Sequence, residues 1–426
     1  MQSFVIEGGR PLSGTVRAAG NKNGALPILA ATVLASGPVR LSNVPRIRDV
    51  ETMVELLDAL GADATWTGPN EVTVDTSGVS RTALDPVLGR EIRASFLLAG
   101  PLLARFGRAT VPPPGGDVIG RRRLDTHFHA FAELGVEVEL NGDYDLRTDG
   151  LRGKRMFLDE ASVMATENAV MAAVLAEGET VVGHAACEPH IQDLCRFLVA
   201  LGARIDGIGS NVLRIAGVAE LAGGEYRVRS EHVEVASFAA LAAVTGGDVT
   251  IEDVEPDDLI SIVPAFRKLG IELEVSDSAI RVPPGQELRV VDDFGDQIPK
   301  IESGIWPAFP ADLTSIAVVA ATQAHGTVLV FEKMFESRLF FVDKLVSMGA
   351  RIVLCDPHRV VVTGPARLYG QRLESPDIRA GMAMVIAALC AEGRSTIGNV
   401  GQIDRGYESI DERLRALGAA IERADL

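Results

Sequence analysis

The sequence predicts an α/β protein with two domains, each containing three similar helix and strand units. Two observations lead to this fold class: a helix-end signature that occurs six times, and a second, more apolar helix that accompanies every copy. A chain of 426 residues with 47% hydrophobic residues can form two domains with large cores. The alternative fold is a solenoid of stacked repeats, although repeats of about 70 residues exceed the usual solenoid period of about 20 to 50 residues.

The helix-end signature reads bulky-x-x-Leu/Met-Gly-x-x-apolar, and an alternating run follows nearly every copy, as in residues 136–140. Glycine suits the left-handed conformation that ends a helix, and alternation is typical of a half-buried strand. The signature therefore predicts an amphipathic helix followed by a strand. Its glycines lie 67 to 79 positions apart and are Gly61, Gly135, Gly202, Gly270, Gly349 and Gly418.

The second helix of each unit is apolar on nearly all faces, which predicts that it is buried. The predicted buried helices span residues 25–35, 94–105, 168–177, 235–244, 313–323 and 381–391. A boundary near residues 224–234 separates the third unit from the fourth and predicts the hinge. The predicted domains are therefore residues 22–230, which include a loop at 112–127, and residues 1–21 together with 231–426.

Composition excludes several classes of function. A net charge of -17 argues against a nucleic-acid partner, because Lys and Arg supply most of the affinity for phosphate backbones. The first 25 residues lack the apolar stretch of a secretion signal, and the apolar runs are too short to cross a membrane. We therefore expect a cytoplasmic protein without a membrane partner. The four cysteines show no CxxC spacing, and no cluster of metal ligands is visible, so no metal site is expected.

Two polar segments suggest anion binding. Gly20-Asn21-Lys22-Asn23-Gly24 opens the first buried helix, where backbone N–H groups and a lysine favour an anion; the alternative is an ordinary helix cap with a solvated lysine. The loop 112–127 is rich in proline and glycine and places Asp117 before three consecutive arginines, whose guanidinium groups match phosphate. The alternative for this segment is a mobile surface loop with solvated charges.

Further motifs occur in a fixed order with these two segments. Together they resemble the UDP-N-acetylglucosamine 1-carboxyvinyltransferases, a branch of the enolpyruvyl transferase family, from about Gly9 to Ile421. The resemblance implies two inside-out α/β domains, each of three βαβαββ repeats with pseudo-threefold symmetry, and an active site in the interdomain cleft. The other motifs are Ala161-Ser162-Val163 with Thr166-Glu167-Asn168, Pro307-Ala308-Phe309-Pro310-Ala311-Asp312, and Ile403-Asp404-Arg405-Gly406-Tyr407-Glu408.

The resemblance also implies a reaction. The enolpyruvyl group of phosphoenolpyruvate would move to the 3-hydroxyl of UDP-N-acetylglucosamine, with release of phosphate through a tetrahedral adduct, as the first committed step of peptidoglycan precursor synthesis. Addition of an alcohol to the enol requires a proton donor and a proton acceptor, while cations position the anions and stabilise the leaving group. The expected partners are these two small molecules, and no cofactor or metal is required.

The resemblance assigns roles residue by residue. Asp117, Asp312 and Lys22 are the expected catalytic residues, with Asp312 accepting the proton of the sugar hydroxyl. Lys22, Arg122 and Arg405 are expected to bind the phosphate of phosphoenolpyruvate. Glu188 matches a family acid near the reacting centre, although Glu188-Pro189 also fits a turn at the end of a strand. The other expected substrate-binding residues are Asn23, Arg93, Arg123, Leu124, Asp125, Thr126, Ser162, Val163, Met334, Arg338 and Arg379.

The chain departs from the family pattern at three positions. Asp117 stands at the loop tip, where most members have a reactive cysteine; a carboxyl group can still exchange a proton, and the alternative is loss of function. Arg123 and Met164 replace a common proline and glycine and leave open a paralogue that acts on another nucleotide. The enzyme that acts on shikimate 3-phosphate and a catalytically inactive nucleotide sensor are further alternatives.

We predict that epoxides such as fosfomycin, which alkylate the loop cysteine of the family, do not modify this chain, because a carboxylate is a much poorer nucleophile than a thiolate. Mass spectrometry after incubation with the epoxide measures this. A covalent adduct on the peptide that contains Asp117 would contradict the prediction.

Overall fold

The computed structural model describes residues 2–116 and 123–425. Asp117 and Arg122, both expected at the site, lie outside the described residues. The described chain divides into two compact units. The 20–229 unit contains residues 20–116 and 123–229, and the 230–425 unit contains residues 2–19 and 230–425.

The described residues form fourteen α-helices, some of them extended by short 3-10 helices. No helix among them has the length and apolar character needed to span a membrane. The 3-10 helices span Thr32–Leu34, Arg93–Leu98, Pro256–Leu259 and Ala311–Leu313. The α-helices are α1 Lys22–Ala31, α2 Arg48–Leu60, α3 Leu88–Glu91, α4 Ala99–Phe106, α5 Asp125–Glu133, α6 Val163–Ala173, α7 Pro189–Ala200, α8 His232–Val244, α9 Ile262–Arg267, α10 Thr314–Ala321, α11 Val342–Ser347, α12 Ile378–Cys390, α13 Gly401–Asp404 and α14 Ile410–Ala416.

The strands form six sheets in the described residues. The strands are β1 Gln2–Glu7, β2 Ser13–Arg17, β3 Val39–Ser42, β4 Asp63–Gly68, β5 Glu71–Asp75, β6 Arg108–Val111, β7 Glu137–Asn141, β8 Asp143–Arg147, β9 Arg155–Phe157, β10 Glu179–Gly183, β11 Arg204–Asp206, β12 Val212–Ala216, β13 Gly224–Arg227, β14 Asp248–Glu252, β15 Glu274–Val275, β16 Ala279–Val282, β17 Lys300–Glu302, β18 Gly326–Phe331, β19 Arg351–Asp356, β20 Arg359–Gly364, β21 Arg372–Glu374, β22 Arg394–Gly398 and β23 Ala420–Asp425.

The six sheets share one topology. Five have four strands, in which the first pair is parallel and the next two pairs are antiparallel, as in β9-β10-β12-β11 and β17-β18-β20-β19. The sixth, β6-β8-β7, has an isolated parallel bridge from Ala83 to Thr110 where the others have their first strand. Each unit contains three of these sheets. The recurrence confirms the predicted α/β fold of six repeats, and the solenoid alternative is wrong.

The six signature glycines follow the helices that the sequence predicts to be amphipathic. All have φ between 75° and 110°, a left-handed region in which a Cβ is unfavourable. This conformation turns the chain out of each helix and into the strand that follows. The helices concerned are α2, α5, α7, α9, α11 and α14.

Each unit has its own apolar core, with helices inside and sheets outside. The inner helices are α1, α4 and α6 in the 20–229 unit and α8, α10 and α12 in the 230–425 unit. Nearly all of their residues are buried, except that the last three residues of α4 are partly exposed. Many strands alternate between buried and more exposed positions, as in β20. The run 136–140 does form most of β7, but the prediction that this strand is half-buried is wrong, because all five residues of β7 are exposed. Burial of the helices on all faces explains why these segments lack an amphipathic pattern.

Four inner helices begin earlier than predicted: α1 and α8 and α12 by three residues, and α6 by five. Their first turns contain polar residues that interrupt the apolar pattern, so the predicted starts are wrong. A side-chain oxygen caps each of the four by accepting a backbone N–H, which makes the polar start favourable. The capping residues are Asn21, Ser162, Glu231 and Asp377.

Candidate active site

Asp312 forms the centre of a charged cluster in the 230–425 unit. Its Oδ1 accepts a hydrogen bond from Nη2 of Arg338 at 2.8 Å, and its Oδ2 accepts one from Nε of Arg379 at 3.0 Å. The arginine side chains are 3% and 5% exposed, whereas Asp312 is 29% exposed. Charge-assisted hydrogen bonds of this kind stabilise an ionised carboxylate. The cluster therefore presents an ionised, solvent-accessible acceptor between two buried cations.

The starts of inner helices bring these side chains together. Asp312 lies in the 3-10 helix that precedes α10, and Arg379 is the second residue of α12. The carboxylate of Asp377 accepts hydrogen bonds from the backbone N–H groups of Arg379 and Ala380 at 2.8 and 2.9 Å. This cap fixes the first turn of α12 and with it the direction of Arg379.

Arg379 remains charged although it is buried. Burial alone would lower its pKa, but the negative charges of Asp312 and of ionised Glu231 raise it above its ordinary value. The guanidinium group also lies over the ring of Tyr407, 5.5 Å from the centroid. Tyr407 belongs to the last sequence motif, so part of that motif supports Arg379 within the fold.

Glu231 is a member of this cluster that the sequence did not identify. It is 2% exposed and caps α8, where its Oε1 accepts a hydrogen bond from the N–H of Val233 at 3.1 Å. Burial raises the pKa of Glu231 to about 7, against the charge of Arg379, which lowers it. In the sequence, Glu231 lies within the expected hinge at residues 224–234. The sequence predicted no role for this residue in the site, because none of the motifs contains it.

Met334 and Arg405 occupy other parts of the same unit. The N–H of Met334 donates to Oε1 of Glu332 at 2.7 Å, and the hydroxyl of Thr314 donates to Oε2 of Glu332 at 2.6 Å. A buried glutamate thus fixes the partly exposed Met334 relative to α10. Arg405 follows α13, and its Nη1 donates to Oε1 of Gln402 at 2.9 Å.

Lys22 forms a buried ion pair in the 20–229 unit. Its Nζ lies 2.7 Å from Oδ2 of Asp49, and the two side chains are 10% and 7% exposed. Asn21 caps α1 by accepting the N–H of Gly24 at 3.0 Å, and Asn23 is half-buried in the first turn. Lys22 is therefore not a solvated surface lysine. Its ammonium group has three donors, so it can bind an anion while it remains paired with Asp49.

The described end of the loop 112–127 lies against Arg93, whose Nη2 donates to the backbone oxygen of Arg123 at 3.3 Å. Nε of Arg123 donates to Oδ2 of Asp125 at 2.6 Å, and this hydrogen bond raises the pKa of the Arg123 guanidinium. Leu124 and Thr126 are buried, and the Thr126 hydroxyl donates to another carboxylate at 2.8 Å. The predicted residues 123–126 thus have a defined arrangement at the start of α5.

Ser162 and Val163 begin α6. The Ser162 hydroxyl accepts the N–H of Ala165 at 3.4 Å and caps the helix. Glu167, one turn further along, is fully buried, and burial followed by the charge of Glu188 raises its pKa well above the ordinary value. Glu188 directly precedes Pro189, the first residue of α7, so it lies at the start of a helix. Its expected role as an acid near the reacting centre stays a prediction.

Comparison with known proteins agrees with this fold. The family model for EPSP synthase (3-phosphoshikimate 1-carboxyvinyltransferase) matches residues 6–414. The crystal structure of the enolpyruvyl transferase NikO from Streptomyces tendae is 25% identical, covers 99% of both chains and has a TM-score of 0.89. EPSP synthase from Acinetobacter baumannii shares the fold at 19% identity, with a TM-score of 0.78 over 100% of both chains. The fold and these matches define a carboxyvinyltransferase of the EPSP synthase family.

Curated relatives narrow this class. A UDP-N-acetylglucosamine 1-carboxyvinyltransferase from Bradyrhizobium diazoefficiens is 56% identical over 99% of this chain and 97% of its own length. The proteins of the same name from Treponema denticola and Treponema pallidum are 53% and 54% identical over 99% of both chains. The chain belongs to the UDP-N-acetylglucosamine 1-carboxyvinyltransferase family and is a transferase.

Proposed function

We propose that this chain transfers the enolpyruvyl group of phosphoenolpyruvate to the 3-hydroxyl of UDP-N-acetylglucosamine and releases phosphate. The observation that carries the proposal is the position of Asp312, a partly exposed carboxylate held at both oxygens by buried Arg338 and Arg379. The names of relatives that are more than half identical over the full chain support the same reaction. In cells it would be the first committed step of peptidoglycan precursor synthesis, in the cytoplasm.

In the proposed reaction the 3-hydroxyl oxygen of the sugar bonds to C2 of phosphoenolpyruvate, and Asp312 accepts the proton of that hydroxyl. A proton is delivered to C3 at the same stage, and Asp117 in the loop 112–127 is the proposed donor. The tetrahedral adduct then loses the phosphate oxygen from C2 and a proton from C3, which restores the double bond. One group must be ionised and the other protonated at the start, so an acid and a base must coexist.

The cations have a different part in the proposal. Lys22, Arg122 and Arg405 bind the phosphate, and Arg93, Arg338 and Arg379 neutralise the remaining negative charge. The charges of the phosphate and carboxylate change little during addition, so these residues mainly position the substrate and stabilise the leaving group. The buried positions of Arg338 and Arg379 support this part, because a fixed cation needs little reorganisation during the reaction.

The sugar nucleotide would be held by Asn23, residues 122–126, Ser162, Val163 and Met334. We retain the predicted domains in this proposal, with the loop 112–127 belonging to the domain 22–230. The half-exposed pair of Arg123 and Asp125 offers charged groups that a nucleotide can meet. Arg123 and Met164 are the residues that would account for specificity towards a different nucleotide.

We expect phosphate release from phosphoenolpyruvate with UDP-N-acetylglucosamine as acceptor and much slower release with UMP or shikimate 3-phosphate. Shikimate 3-phosphate is tested because the family that matches residues 6–414 is named after EPSP synthase (3-phosphoshikimate 1-carboxyvinyltransferase). Initial rates of phosphate release with each acceptor, together with mass spectrometry of the product, measure the preference. A faster rate with another acceptor would assign the chain to a paralogue, and no release with any acceptor would contradict transferase activity.

A further inference from the structure

Glu231 is the buried carboxyl group of the Asp312 cluster for which the proposed reaction has no use. Its Oε2 has no hydrogen-bond partner among the described residues, and the same holds for Nη1 of Arg379 and Nε of Arg338. A buried polar atom without a partner costs free energy, so such atoms need a reason. Three of them occur in one cluster that already contains two cations and a carboxylate.

The charges around Glu231 nearly balance. With Glu231 ionised, the two carboxylates match the two guanidinium groups of Arg338 and Arg379; with Glu231 protonated, the cluster has one excess positive charge. An anion bound at the arginines adds negative charge beside Glu231, and a nearby like charge disfavours the ionised carboxyl group. The charged and titratable groups that act on Glu231 are Arg379, Asp312, Glu234, Tyr407 and, 3.7 Å from its Oε1, Nδ1 of His232.

We propose that Glu231 is a proton-linked positioning residue: it becomes protonated when Arg379 and Arg338 bind an anionic substrate, and it loses the proton when the anion leaves. The inference rests on the proposed function, which supplies phosphoenolpyruvate as the anion. Binding is then accompanied by uptake of one proton from solvent onto a Glu231 oxygen. No covalent bond of the substrate changes in this step.

The pH dependence follows from the direction of the pKa shift. Burial places the pKa of Glu231 at about 7, above its ordinary value, so the group is mostly neutral at pH 6 and mostly ionised at pH 8. Anion affinity should therefore fall as pH rises through 7. If the bound state requires neutral Glu231, the anion affinity is about tenfold lower at pH 8 than it would be with a permanently neutral side chain. At pH 6 this loss of affinity is nearly absent.

The test compares the wild type with Glu231→Gln, which keeps the shape and a hydrogen-bond acceptor for the N–H of Val233 but cannot ionise. Dissociation constants of phosphoenolpyruvate at pH 6, 7 and 8, with UDP-N-acetylglucosamine present, are measured by calorimetry. We expect the variant to bind about tenfold more tightly than the wild type at pH 8 and equally at pH 6. Comparing the two proteins at each pH removes the ionisation of the ligand itself.

Asp193→Asn is the matched control. Asp193 is also a buried carboxylate with a raised pKa, mainly because of burial, and it accepts hydrogen bonds from Tyr226 and the backbone of Arg229 within the other unit. The substitution makes the same chemical change outside the Asp312 cluster. The ratio of the dissociation constant of this variant to that of the wild type should therefore be the same at pH 6 and pH 8.

A second measurement needs no substrate. A carboxyl group whose pKa is raised by folding binds more protons in the folded state, so its contribution to stability falls as pH rises from about 4.5 to about 7. The melting temperature of the wild type should therefore fall relative to Glu231→Gln across this window. Equal melting differences at pH 4.5 and 7.5, or equal pH dependence of binding in the two proteins, would overturn the inference. A wild type that neither binds phosphoenolpyruvate nor releases phosphate would overturn the proposed function instead.

Discussion

Replacing Asp312 by asparagine should lower kcat for phosphate release about a thousandfold, because proton transfer by a positioned side chain contributes about 10² to 10⁴ in rate. Asparagine keeps the shape of the side chain and one acceptor oxygen but cannot accept a proton. It also removes negative charge from between Arg338 and Arg379, so binding of phosphoenolpyruvate should not weaken to the same extent. Steady-state phosphate release with UDP-N-acetylglucosamine measures both effects.

Asp411→Asn provides the control for this prediction. Asp411 is a mostly buried aspartate of the same unit that pairs with Arg423 at 2.8 Å, and it is not part of the proposed site. Its substitution reports the effect of losing an arginine–aspartate pair on stability and on rate. If Asp312→Asn keeps kcat within tenfold of the wild type while both variants are folded, Asp312 is not the proton acceptor.

Replacing Lys22 by methionine should have the largest effect on stability. Removal of one partner from a buried ion pair costs about 3 to 5 kcal/mol, because the remaining charge loses its compensation. Methionine has a similar length and fills the space beside Asp49, so the loss reports charge more than volume. Phosphate release should also decline strongly, since Lys22 is proposed to bind the leaving phosphate. Urea denaturation measures the free energy of unfolding.

The double variant Lys22→Met with Asp49→Asn separates the two effects. Removing both charges should recover much of the stability lost in Lys22→Met, because no buried carboxylate is then left without its cation. Activity should stay low, since the ammonium group is still missing. Recovery of activity together with stability would show that Lys22 supports the fold and has no part in binding phosphate.

The sequence predicted the repeating architecture well because each repeat contains a strong local signal. A glycine in a left-handed conformation after a helix is determined by a few neighbouring residues, and all six signature glycines have it. The sheets follow from alternation within single strands. The starts of the inner helices were predicted poorly, because an apolar pattern cannot indicate a turn whose polar side chains are satisfied by tertiary contacts. Lys22, which pairs with Asp49, lies in such a turn.

The site was predictable only through ordered motifs. The association of Asp312 with Arg379 joins residues 67 positions apart, and no local pattern relates a carboxylate to a distant arginine. Asp49 and Glu231 illustrate what was missed: Asp49 pairs with Lys22, Glu231 is a buried carboxyl group on which the charge of Arg379 acts, and neither belongs to a motif. Whether a charge is buried depends on how distant segments of the chain pack together, so it appears only in the folded chain. The roles of the predicted residues remain predictions until the substitutions are made.

The starts of the inner helices have a consequence for how this architecture can change. Successive repeats place Lys22, Arg93 and Ser162 in one unit, and Glu231, Asp312 and Arg379 in the other, at or beside the starts of their inner helices. Each repeat thus has an equivalent position at the start of its inner helix, and the residue at this position can be substituted without altering the apolar part of the helix. A fold of this kind can change its specificity to a new acceptor molecule by substitutions at a few of these positions, while the rest of the protein stays the same.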